Sequence, residues 1–181
     1  MLTLAPKKLA LGFSLIELII AIAIVGLVSA IAMPGYASWI KNSRVRTAAE
    51  SIQNGLQTAR AEAVKRNTSI QFSLSANSNW SIGCVTTSSN CPATILSRLA
   101  SEGATGSAII TLRPDGTDFP AKATFSNLGL LDNSTTPAPF NQVDISFSGA
   151  DRPLRVTLGV GGNTRVCDPK TTLAATDPRR C

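Results

Sequence analysis

Gly12-Phe13-Ser14-Leu15-Ile16-Glu17 opens the stretch that decides the fold, and residues 18–33 continue it without a charge. From Phe13 to Met33 there are 21 residues, and Glu17 is the sole ionisable side chain among them. Wound as a helix at about 1.5 Å per residue, this run reaches across a roughly 30 Å hydrocarbon core. A carboxylate at that depth is costly to bury, so it marks a function and calls for a cationic partner. The α-amino group freed by cutting the chain just before Phe13 would be such a cation. An ordinary secretory signal is a plainer alternative, because Ala30-Ile31-Ala32 fits an A-x-A cleavage site. Against it, the apolar run exceeds the usual length of about 7–15 residues and contains Glu17. A simple membrane anchor would have no use for that acid either.

The remaining length bounds the rest. A chain of 181 residues has room for one domain besides the apolar helix. Apolar residues make up 44% of the chain, many of them in the first 33 positions, and aromatics only 5%. The remainder is rich in Ser, Thr, Asn and Gly, which suits a small β-rich domain with many turns. The net charge is +6, and loss of Lys7 and Lys8 with a leader would leave +4. That mild basicity is compatible with anionic partners without identifying one. Four cysteines in a chain with an export signal favour two disulfides in an oxidising compartment. Three pairings are open, and Cys84 with Cys91 plus Cys167 with Cys181 closes short loops. Without His, and without C-x-x-C spacing, no zinc site or other metal site is expected.

After Pro34-Gly35, which kinks a helix without necessarily ending it, the pattern turns amphipathic. Val45, Ala48, Ala49, Ile52, Leu56, Ala59 and Ala63 recur at three- and four-residue spacing. Arg44, Arg46, Glu50, Gln53, Gln57, Arg60 and Lys65 lie mostly off that stripe, which should bury against a sheet. Gly55 weakens the helix locally by about 1 kcal/mol. A helix over 13–66 would be about 80 Å long. Tyr36 and Trp39 stand just past the apolar run, as interfacial aromatics do. From Ile70 the period becomes two, and strands are expected at Ile70, Phe72 and Leu74, then Trp80, Ile82 and Cys84, as a hairpin. Further strands are expected over 95–99, 107–112, 123–127, 143–148 and 154–160, with Arg113-Pro114-Asp115-Gly116 as a turn. The expected fold class is therefore α+β: one long N-terminal helix packed against a head of about seven short antiparallel strands.

Lys7-Lys8, then Gly12 followed by Phe13-Ser14-Leu15-Ile16-Glu17, resembles the class III signal of type IV pilins and type II secretion pseudopilins. The resemblance implies a pilin fold, cleavage between Gly12 and Phe13 by a prepilin peptidase, and N-methylation of Phe13. It also implies that Gly26 and Pro34 weaken the helix and that the helix packs into a filament core. The head is similar to the GspH/FimT/FimU branch in its Ile70 and Trp80 hairpin, in Phe125-Ser126-Asn127-Leu128-Gly129, and in a final strand running into Gly162-Asn163-Thr164-Arg165-Val166-Cys167. Its tail, from Cys167-Asp168-Pro169 to Asp177-Pro178-Arg179-Arg180-Cys181, resembles FimU-type minor pilins. The organisation expected is a leader over 1–12, a transmembrane or filament-core helix over 13–35, its amphipathic half over 36–66, and a β head over 67–181. The two Lys of the leader keep that end cytoplasmic and send the head outward.

No catalytic constellation is present, because a chain without His has no Ser-His-Asp or Cys-His arrangement. Walker and G-x-S-x-G motifs are absent too, and no cofactor is implied. Asp115, Asp118, Asp132 and Asp144 read as solvated surface charges. The expected role is that of a minor pilin, a peptidase substrate rather than an enzyme. Its expected partners are other minor pilins, the major pilin, the prepilin peptidase and, before assembly, the inner membrane. Glu17 would neutralise the Phe13 amine of a neighbouring subunit and so set its axial stagger. A GspH-like pseudopilin of type II secretion is the first alternative. A competence pilin that contacts nucleic acid through Arg165, Arg179 and Arg180 is the second. Relatives of that kind carry Gly-Arg-x-Arg in the tail, whereas here Asn163 follows Gly162 and Arg165 precedes Val166.

Overall fold

A computed structural model describes residues 13–75, 77–102, 109–113, 119–135 and 138–181. One helix, α1 (Leu15–Arg66), is followed by eight described strands. These are β1 (Ile70–Leu74), β2 (Trp80–Cys84), β3 (Leu96–Arg98), β4 (Ile109–Arg113), β5 (Ala121–Phe125), β6 (Gln142–Ser146), β7 (Leu154–Leu158) and β8 (Thr164–Cys167). The chain divides into two units, Met1–Ala37 and Ser38–Cys181. The apolar half of α1 is the described part of the first, and the β head with the amphipathic half of α1 is the second.

Helix α1 begins where Ser14 turns its carbonyl to the Leu18 N–H at 3.1 Å. It is continuous through Gly26, Pro34 and Gly35, although Pro34 has no N–H to donate. It stops at Asn67, whose φ of 50° is left-handed. There the Asn67 N–H reaches the Val64 carbonyl and the Thr68 N–H reaches the Ala63 carbonyl, both at 3.2 Å. That pair of bonds is a Schellman ending, with Asn in the place usually held by Gly. All seven stripe residues, from Val45 to Ala63, are buried.

The strands form two four-stranded antiparallel sheets, not one. The first has the order β3-β2-β1-β5 and the second β4-β6-β7-β8. Period-two alternation specifies which face of a strand is buried, but not which strand lies beside it. Strand β4 therefore reads like its sequence neighbours and yet joins the other sheet. Residues 107 and 108 of that expected strand, and Pro114, Asp115, Gly116 and Asp118, lie outside the described residues. A second difference concerns the expected last strand. Gly162, at φ 73°, turns the chain so that β8 runs back beside β7. The Gly162 N–H bonds to the Gly159 carbonyl at 2.8 Å and the Gly159 N–H to the Asn163 carbonyl at 2.9 Å.

Register explains the core. Phe72 lies between Ile82 on β2 and Ala123 on β5, and Ile70 between Cys84 and Phe125. Large side chains thus alternate with small ones across the face turned to the helix. Val143, Ile145, Val156 and Leu158 supply the corresponding face of the second sheet, and all of these join α1 in one buried cluster. Each fully buried Ile, Leu, Phe or Val contributes roughly 1.5–3 kcal/mol over an exposed one.

Two glycines are required by close approach. A Cβ on Gly55 would sit 2.7 Å from Cε2 of Phe72 and 3.1 Å from the Trp80 ring. A Cβ on Gly83 would strike the carbonyl of Ala93, where the segment that follows Cys91 passes over β2. Hydrogen bonds from Cys84 N–H to the Pro92 carbonyl and from Ile95 N–H to the Ile82 carbonyl hold that crossing. Gly55→Ala should gain about 1 kcal/mol of helix propensity and lose more to overpacking, which typically costs about 1–3 kcal/mol. Gly83→Ala should lower the thermal unfolding midpoint further, because backbone rather than a ring edge must move. Thermal unfolding of the detergent-solubilised full chain checks both the sign and the order.

Candidate functional site

The described residues of the first unit present a largely apolar, exposed surface. Phe13 is 86% exposed, and Leu15, Ile16, Leu18, Ile19, Ile20, Ile22, Ile24 and Val25 are exposed beyond it. By length and composition α1 is the one described helix that could cross a membrane. An apolar face of this extent needs lipid or other helices around it. Gly26 and Gly35 have open space where a Cβ would be, so no packing inside the chain demands glycine at either position. Gly12 lies outside the described residues.

Glu17 sits in the first turn of α1. It forms no ion pair among the described residues. Its position carries a meaning that charge counting misses. Ser14 occupies the cap position and Glu17 the third helical position, the spacing of a capping box. A carboxylate there also faces the positive end of the helix dipole, a favourable interaction of about 0.3–1 kcal/mol at an exposed site. The Ser-x-x-Glu spacing before an apolar run was the signal in the sequence that could have shown this.

In the second unit, the motif residues around Gly129 and Gly162 meet on the helix. Ser126 accepts the Gly129 N–H at 2.8 Å, and the Arg60 Nε donates to the Gly129 carbonyl at 3.0 Å. Gly129 and Gly162 both have left-handed φ, 74° and 73°. A Cβ on Gly162 would meet the Gly129 carbonyl oxygen and lie 3.1 Å from Arg60 Nε. Arg60, which seemed only an off-stripe charge, thus ties the Gly129 turn to α1, and the Gly162 turn packs beside its side chain. Asp144 corrects another expectation. It receives both Nε and Nη2 of Arg155, its cross-strand neighbour, and each side chain is only about one-fifth exposed. Asp132, by contrast, is a half-buried turn acid bonded to the N–H and hydroxyl of Ser134.

The structure forms the disulfides Cys84–Cys91 and Cys167–Cys181. The tail they help to hold engages its arginines internally. Arg165 Nη2 donates to the carbonyls of Pro178 at 2.9 Å and Arg180 at 3.0 Å. Arg180 Nη1 donates to the Leu173 carbonyl at 3.3 Å. Arg179 pairs with Asp177 through Nε at 3.0 Å and Nη2 at 2.7 Å. These side chains are committed to the tail's own backbone and to an acid, and none is presented as part of an open cationic row.

Residues 48–162 match the family described as type II transport protein GspH, and residues 7–33 match the prokaryotic N-terminal methylation motif. The chain belongs to the GspH family. This family is one of structural pilin proteins rather than enzymes. Among solved structures, the chain is similar to the type IV minor pilin FimU of Pseudomonas aeruginosa in two crystal forms. In space group P21 the identity is 20% and the TM-score 0.52, with 70% of this chain and 92% of FimU covered. In space group P65 the values are 21% and 0.48, covering 69% and 97%. The P21 likeness shows a pilin fold, and with it the long helix and antiparallel head described above. In this GspH-family head, the Arg179 guanidinium and backbone N–H hold the Asp177 carboxyl well below its ordinary value, at about 2. A depressed carboxylate stabilises above its unfolded pKa and stops doing so as pH falls through the folded one. The tail should therefore loosen between about pH 4 and pH 2. The Asp177 carboxyl resonance followed by NMR should titrate near the lower end of that window, and in Arg179→Gln nearer the upper.

Proposed function

We propose that this protein is a minor pilin of a type IV pilus that helps to initiate assembly within a tip or priming complex. One observation carries the reading: a single acid, Glu17, stands at the start of an exposed apolar helix in a chain with an N-terminal methylation motif. On this reading a prepilin peptidase cuts between Gly12 and Phe13, and the Phe13 amine is then methylated. The precursor spans the inner membrane once with its head in the periplasm. After assembly it is part of an extracellular pilus beside other minor pilins and the major pilin.

Glu17 acts on a neighbour. Its carboxylate meets the Phe13 amine of the adjoining subunit, and the pairing offsets the desolvation of both charges in an apolar bundle. The exposed stripe from Phe13 to Met33 supplies the remaining contact. Gly26 and Pro34 lower the helix's resistance to local unwinding in that bundle. A second reading, a pseudopilin of type II secretion, is favoured by the family description. It keeps the same processing and the same role for Glu17, and the subunits that co-purify distinguish the two.

Two substitutions separate pairing from capping. Glu17→Gln keeps a side chain able to cap the helix but removes the charge, whereas Glu17→Ala removes both. Both variants should be processed, and both should fall at least tenfold in sheared pili, a loss equivalent to about 1.4 kcal/mol. Normal incorporation of the Gln variant would show that Glu17 serves its own helix start. N-terminal sequencing of mature chains should begin at Phe13.

A further inference from the structure

Within the head, a groove of about 720 Å³ opens between one face of α1 and the end of β8 with the tail. Trp39 and Arg46 line it from the helix, and Arg152, Val166, Pro178 and Arg179 from the opposite side. We propose that this groove binds the phosphate of an anionic phospholipid while the protein resides in the membrane. The proposal rests on the reading that the apolar part of α1 spans a bilayer.

Four observations point to a lipid surface. The first is reach. Trp39 is the sixth residue after Met33, so the groove's edge lies within about 20 Å of the span's end at any chain direction. A tether that short holds the groove at high effective concentration beside headgroups. The second is charge. Arg46 and Arg152 are the guanidinium groups open to a ligand, since Arg179 is already paired with Asp177, and Glu50 and Asp168 are the groove's carboxylates. The Arg46–Glu50 pair is exposed, with side chains 75% and 51% accessible, so it yields readily to a phosphate. Arg152 has no ion pair among the described residues.

The third is preorganisation. Asn42 Oδ1 accepts the N–H groups of both Asp151 and Arg152, at 3.0 and 3.1 Å, and Lys170 Nζ bonds the Asp151 carbonyl. These bonds hold the Arg152 backbone against the helix, in the groove that Arg46 also lines. The fourth is the groove's mixed lining. Trp39, 63% exposed, and Val166 offer apolar surface for glycerol and the first methylenes, as interfacial aromatics do. Nucleic acid is less well served, because Arg165 and Arg180 already bond tail carbonyls.

The test uses the full-length chain in detergent, offered phosphatidylglycerol or phosphatidylcholine, with retained lipids counted by native mass spectrometry. Phosphatidylglycerol should be retained preferentially, and added salt should weaken that preference. Arg46→Gln/Arg152→Gln should reduce it roughly tenfold or more. Lys65→Gln/Lys122→Gln, which removes the same charge elsewhere on the head, should leave it unchanged. Equal retention of the two lipids, or equal losses in both double variants, would overturn the proposal. So would a short DNA duplex that binds through Arg46 and Arg152 when no lipid preference exists. Carbonate extraction of cell membranes scores the spanning reading separately. A chain released from membranes overturns both, whereas a retained chain without lipid preference overturns the groove alone.

Discussion

Burial of one helix stripe against two sheets is the constraint on which the head depends. Val45, Ala49, Ile52, Leu56, Ala59 and Ala63 are fully buried, and the strands that meet them come from distant parts of the chain. The stripe mixes bulky residues with Ala, so sheet side chains can enter where the Ala residues leave room. Where the approach is closest, at Gly55, even a methyl group is excluded by Phe72 and Trp80. The same helix is amphipathic where it faces the head and, apart from Glu17 and Ser29, apolar before that. One continuous element therefore serves two solvents, and its two halves obey different rules.

The helix stripe was legible in the sequence because helical periodicity is a local property, and all seven of its residues are buried. The β1–β2 hairpin was legible for the same reason, since alternation and a polar turn sit within fifteen residues of one another. Sheet membership was not legible. β4 and β5 are near in sequence and belong to different sheets, and only long-range packing decides that. The ion pair of Asp144 with Arg155 depends on the register of β6 with β7, so composition alone marked Asp144 as a surface acid. Gly55 was read as a weakness in the helix, although its missing side chain is what admits two aromatic rings.

The functional reading divides along the same line. The N-terminal signature lies in consecutive residues and could be read directly, including the unusual acid in an apolar run. The tail depends on contacts that no spacing rule reports. Arg165, Arg179 and Arg180 look like a basic cluster in one dimension, yet in three they bind Pro178, Asp177 and Leu173. Arg60 shows the converse: an apparently solvent-facing cation joins the Gly129 turn to the helix and packs beside Gly162.

The notch at Gly55 also has a mechanical consequence. Phe72 and Trp80 seat their rings where the helix has no side chain, and the Trp80 indole N–H donates to Ser51 one turn away at 2.9 Å. Sliding α1 lengthwise would drive the Cβ of a neighbouring residue into those rings and break that bond. Tension applied to the helix is therefore met in shear by a keyed joint rather than by a smooth greasy contact, and the head resists axial slip.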